Sequence, residues 1–94
     1  MVNVVKHYPL DITREKQYFN LPRGSSIIGF DIHQSELKLT VAQDRDEEAR
    51  TVRVFRLVKT DEEFEEDIIK HIGSAIFNNG VSPTDFNLHL FEVR

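Results

Sequence analysis

Ninety-four residues with no cysteine make one domain, 1–94, of thin stability margin, and exclude a disulfide framework or a thiolate metal site. Hydrophobic and charged fractions of 39% and 30% are ordinary for a globular domain, and a net charge of −4 argues against a nucleic-acid coat, which carries a basic excess. The opening MVNVVKHYPLD is too short and polar for a signal peptide and no segment approaches a membrane span, so the expected setting is cytoplasmic.

Taken in chain order, the sequence reads as strands. Val2 to Leu10 and Lys16 to Leu21 are the weaker candidates. Then comes FNLPRGSSIIGFDI, residues 19–32, with Pro22 and Gly24 inside a polar stretch flanked by apolar runs. A phosphate-gripping loop would need a helix after its glycines. Here a single glycine leads into an alternating segment, Ser26 to His33, with Ile28, Phe30 and Ile32 expected inward. The stretch therefore reads as a corner between strands. Pro22 would preset φ for the turn and Gly24 would accept a positive φ. Glu36 to Gln43 alternates cleanly, with Leu37, Leu39 and Val41 on one face. Thr51 to Lys59 is rich in β-branched and aromatic residues. Phe86 to Val93 places Phe86, Leu88 and Leu90 on one face and Phe91 and Val93 on the other. Turn signals fall at 22–24, 34–35, 44–49 and 78–83. This spacing predicts an all-β fold, a small antiparallel sandwich or barrel of six to seven strands.

Residues 60–73, TDEEFEEDIIKHIG, admit two readings. As a helix, Thr60 would be the N-cap with Glu63 as its capping-box partner, and Phe64, Ile68 and Ile72 would share a face. As a strand, Ile68 to Phe77 would follow an acidic approach.

Several strings in order resemble a family of small, uncharacterised bacteriophage and prophage proteins. They are Tyr8-Pro9-Leu10, Leu21-Pro22-Arg23-Gly24 followed by Ile27 and Ile28, Phe55-Arg56-Leu57, His71-Ile72-Gly73-Ser74 and His89-Leu90-Phe91-Glu92. The resemblance implies an all-β fold, no established activity, and a strand over 71–77, leaving at most one short helix around 61–68. Two departures stand out. Lys59-Thr60-Asp61-Glu62 occupies the place of a Gly-Thr-Gly-His string, and a middle-strand Trp is absent.

Motifs with a mechanism are scarce. His7, His33, His71 and His89 show no metal-ligand spacing, although His71 and His89 fall on predicted neighbouring strands. Asp44 to Glu48 lacks the glycine and terminal glutamate of a calcium loop. Ser25 and Ser26 have no nucleophile elbow around them. No enzyme, metal or cofactor is expected.

Charge layout is more informative. Residues 61–67 carry −6, and the rest of the chain +2. Arg50, Arg53, Arg56 and Lys59 recur at spacing three, so on a strand Arg53 and Lys59 share one face and Arg50 and Arg56 the other. At least one arginine must lie on or near the buried side, where it needs an acidic or phosphate partner. An internal ion pair and an anion site between subunits both satisfy this. The binding candidates are Arg50, Arg53, Arg56, Lys59, His71 and His89. The leading expectation is a phage accessory protein that binds and blocks a host factor, either a protein or a small nucleotide signal, in the cytoplasm of the infected bacterium. A minor virion component and an acidic mimic of nucleic acid are the alternatives. Free sheet edges and the separated charge point to a homodimer or higher homo-oligomer.

Overall fold

The computed structural model describes residues 2–34, 36–78 and 86–94. Among the described residues there are seven strands: β1 (Asn3–Leu10), β2 (Lys16–Pro22), β3 (Ser26–His33), β4 (Glu36–Asp44), β5 (Arg50–Lys59), β6 (Ile68–Phe77) and β7 (Phe86–Val93). Every pairing is antiparallel. A three-stranded sheet has the order β1-β4-β3 and a four-stranded sheet the order β2-β5-β7-β6. The result is a small β-sandwich and not a closed barrel.

Alternation builds the core. Leu37, Leu39 and Val41 of β4 are buried as their period of two requires, and they face Phe55 and Leu57 of β5 and Leu88 and Leu90 of β7. All seven strands contribute at least one residue to this single cluster. Tyr8, Phe19 and Phe55 continue it as a run of edge-to-face rings, with centroids 5.7 and 5.8 Å apart.

The 19–32 stretch is a corner, and it carries the chain from the four-stranded sheet to the three-stranded one. Ser25 N donates to the Pro22 carbonyl at 3.1 Å, and Gly24 stands third in this turn at φ 82. That is type II geometry, in which the third residue needs a left-handed φ. Pro22 occupies the first position of the turn, as the last residue of β2, so it does not set φ at the second; Arg23 does. Arg23 N also donates to the Ala49 carbonyl at 2.8 Å, which ties the corner to the approach of β5.

Two further sequence expectations need correction. Ile28 does not face inward. The β3–β4 register steps from Ile27↔Val41 to Gly29↔Thr40, so Ile28 is the extra residue of a β-bulge. Ile27 is buried in its place, Ile28 is exposed, and Phe30 and Ile32 resume the inward phase. Nor does any helix form around 61–68. Residues 62–65 have no regular structure and β6 begins at Ile68. Among the described residues there is no helix at all. The turn read at 34–35 lies partly outside the described residues, with Gln34 in the left-handed region at φ 51; the one read at 78–83 is described only at Asn78.

Candidate functional site

The outer face of the four-stranded sheet holds most of the residues singled out by sequence. Its registers align side chains in rows that cross all four strands. One row is Tyr18, Val54, Val93 and Ile68; the next is Lys16, Arg56, Phe91 and His71. Beyond them His89 stands opposite Val58 on one side and Ser74 on the other. His71 and Ser74 are three apart, a spacing that in a regular strand puts them on opposite faces. A bulge between His71 and Gly73 restores both to the outer face.

Arg53 points the other way, between the sheets. Its Nε and Nη2 each donate to a carboxylate oxygen of the buried Glu92 at 2.7 Å, a forked pair. Its third arm donates to the carbonyl of Ser25 in the corner. Glu92 shares the inward phase of Leu88 and Leu90, so without Arg53 it would be a bare charge in the core.

Arg56 faces outward yet its side chain is only 5% exposed. The acidic run folds back across the sheet and covers it. Along this strap Glu62, Phe64 and Glu66 are half-buried while Asp61, Glu63, Glu65 and Asp67 are exposed, a period of two. Arg56 Nη2 donates to Glu62 at 2.9 Å and Arg56 Nε to Glu66 at 3.3 Å; Glu15 lies 3.7 Å away. Lys16 reaches Glu66 at 3.8 Å. Phe64 stacks on Phe91, centroids 5.2 Å apart, and the Arg56 guanidinium lies 5.9 Å from the Phe64 ring. Backbone bonds tie the strap at its ends: Glu62 N to the Lys59 carbonyl at 3.0 Å, and Arg94 N to the Asp67 carbonyl at 3.0 Å. Both carboxyls titrate below their ordinary range. For Glu62 the main cause is the bond it accepts from the Lys59 amide, at 3.1 Å, followed by Arg56. For Glu66 it is its own backbone amide, followed by the charges of Arg56 and Lys16.

The opposite charges of the acidic run and the basic strand thus meet within one chain. Phe91, on the second apolar side of β7, is covered by Phe64 of the strap, and Val93 on the same side is 2% exposed. Of the six binding candidates, Arg53 and Arg56 are internally paired. Arg50 is exposed at the start of β5, opposite Pro22. Lys59 is exposed at its end, with Nζ 4.9 Å from the Phe86 ring centroid.

His71 and His89 come together through a residue that sequence reading overlooked. Ser74 Oγ lies 2.7 Å from His89 Nδ1 and 3.0 Å from His71 Nε2, and His89 Nε2 lies 2.7 Å from Thr60 Oγ1. His71 packs on Phe91, centroids 5.2 Å apart. Ser74 contacts an imidazole as a nucleophile would, but the third member is the neutral hydroxyl of Thr60, where a carboxylate would orient and stabilise an imidazolium. Among the described residues no three histidine, aspartate or glutamate side chains converge as a metal site.

Uncovered by the strap, Tyr18, Val52, Ile68 and Ile69 are each 50–63% exposed. A cleft of about 450 Å³ opens beside them, lined by Val52, Val54, Ile69 and Val93 with Arg53 and Arg94. Sequence reading did not single these residues out, because β2, β5 and β6 are brought side by side only by the strand order of the sheet.

A two-sheet antiparallel sandwich whose outer face joins an apolar band to a strapped basic row defines the class of small all-β domains with an open surface. Over residues 1–94 the chain matches, and belongs to, the family described as a domain of unknown function, DUF7352. No curated protein and no solved structure matches it.

Proposed function

We propose that this chain is a non-enzymatic binding protein of bacteriophage or prophage origin, which blocks or sequesters a host protein in the bacterial cytoplasm. The observation that carries the reading is the apolar band of Tyr18, Val52 and Ile68 on the outer face of the four-stranded sheet, with exposed Ile69 at the bulge that follows Ile68. Large apolar side chains adjoining one cleft are the usual mark of a protein-binding surface. Exposed Arg50 and Arg94 flank it, so the fitting partner presents an apolar strip with acidic residues beside it. An acidic mimic of nucleic acid is the less favoured alternative, because Glu62 and Glu66 turn inward to Arg56.

The test is a partner identified by cross-linking in host lysate, then purified and titrated against the wild type and a Tyr18→Ser/Val52→Ser/Ile68→Ser variant. Loss of at least tenfold in affinity, with an unchanged β-type circular dichroism spectrum, is expected. Equal binding by the variant would overturn the reading. So would a dimer in light scattering that this variant abolishes, since a second copy would then be the occupant.

A further inference from the structure

We infer that the strap is an internal stand-in for a partner: the basic and aromatic row beneath it is a groove for an extended acidic segment of the form Glu-x-aromatic-x-Glu. This rests on the proposed binding role and narrows the chemistry of what is bound.

The groove is defined by what now fills it. Lys16, Arg56, Phe91 and His71 form one cross-strand row from β2 to β6. Glu62, Phe64 and Glu66 lie over it, with carboxylates on Arg56 and Lys16 and a ring on Phe91. Alternate side chains of an extended segment fall on one face, so a chain with this pattern delivers two charges and a ring together. Arg56 is suited to the task because its planar fork can serve two carboxylates at once. Residues 62–65 make no regular ladder with the sheet, and side chains hold the middle of the strap. Displacing it therefore breaks a few ion pairs and one ring stack, while the strands stay paired. The four remaining acids, Asp61, Glu63, Glu65 and Asp67, are exposed.

Tethering makes the strap hard to displace. A flexible tether of this kind holds its ligand at an effective concentration on the order of millimolar. A separate segment of the same pattern must therefore add contacts, and the apolar band in the neighbouring row offers them.

The probe is a fluorescent peptide of the strap's own sequence, TDEEFEED, titrated by anisotropy into the full chain. In a Glu62→Ser/Phe64→Ser/Glu66→Ser variant the groove is open, and binding is expected at least tenfold tighter than to the wild type. It should weaken at least tenfold when the peptide's phenylalanine becomes alanine, and again when Arg56→Gln is added to the open variant. A Glu62→Gln/Glu66→Gln variant, which keeps the strap's shape, should show an intermediate gain. If the open variant keeps its β spectrum and cooperative melt yet takes no peptide, the groove does not exist as a binding site. Binding indifferent to Arg56→Gln places the peptide elsewhere and equally overturns the inference. If neither variant folds, the strap is a structural closure and not a displaceable occupant. Failure here with a surviving effect of the Tyr18, Val52 and Ile68 substitutions would remove the groove and leave the binding reading intact.

Discussion

Arg53 and Arg56 stand three residues apart on β5, and each buries a guanidinium against carboxylates by a different route. Arg53 pairs within the sandwich with a single buried partner, Glu92. Removing one member of such a pair leaves an uncompensated charge, so Arg53→Ala should cost about 3 kcal/mol in urea unfolding, whereas Arg53→Met with Glu92→Leu should cost far less. The sequence showed that an arginine had to meet the buried side, because spacing three alternates faces. It could not name Glu92, which is 39 residues away and sits in what reads as an apolar strand end. Alternation puts Ile28 inward for a related reason: one bulged residue inverts the phase of everything before it. The glycines give a matched pair of substitutions. A Cβ on Gly73 would meet the Phe30 ring at 3.1 Å, while one on Gly29 would meet nothing within 4 Å. Gly73→Ala should destabilise by about 1 kcal/mol through overpacking. Gly29→Ala should leave stability unchanged or raise it by roughly 0.5 kcal/mol. Thermal unfolding of the two variants side by side decides.

The strap is the element where local rules pointed two ways. Spacing four among Phe64, Ile68 and Ile72 supports a helix, while a strand over Ile68 to Phe77 makes the acidic run its approach. The second won: residues 62–65 are irregular, β6 begins at Ile68, and the run sets the carboxylates of Glu62 and Glu66 on Arg56 of β5. That benefit depends on residues outside the segment, so no reading of 60–73 alone could weigh it. The strap should also answer to acid. Glu62 and Glu66 titrate below their ordinary value of 4.5 in the folded chain. Their contribution is therefore whole at neutral pH and is lost as pH falls below that value through their folded ones. Amide exchange at 61–67, followed from pH 6 to pH 3 and corrected for intrinsic rates, should show protection falling first in this segment, before β5 and β7. Uniform loss across the sheet would contradict a strap held by these carboxylates.

At the scale of the whole molecule, the strands were legible and their arrangement was not. Periodicity located six of the seven strands to within a residue; over β6 it left helix and strand both open, and the family resemblance pointed to the strand. Only β3–β4 and β6–β7 pair as sequence neighbours; β1 joins β4, β2 joins β5 and β5 joins β7. Such long-range choices leave no local mark. The same holds for the edges. Pro9 and Lys6 lie on β1, Pro22 and Lys16 on β2, a bulge on β3, and two bulges on β6. Each free edge thus carries a device that discourages strand-to-strand addition, which moves any self-association from edges to faces. Because one cluster draws on every strand, far-ultraviolet circular dichroism and tyrosine fluorescence should report coincident transitions in urea. Separated transitions would mean that the two sheets unfold as independent units. The sheet order also bears on how a newly made chain matures. Translation delivers β1, β3 and β4 by residue 44, so the three-stranded sheet can assemble early. Its partner cannot, because β7, made after the other six strands, lies between β5 and β6. At roughly 5–20 residues per second the nascent chain spends seconds with Leu37, Leu39 and Val41 uncovered. Any premature stop before Phe86 would strand it there, as prey for the cell's proteases.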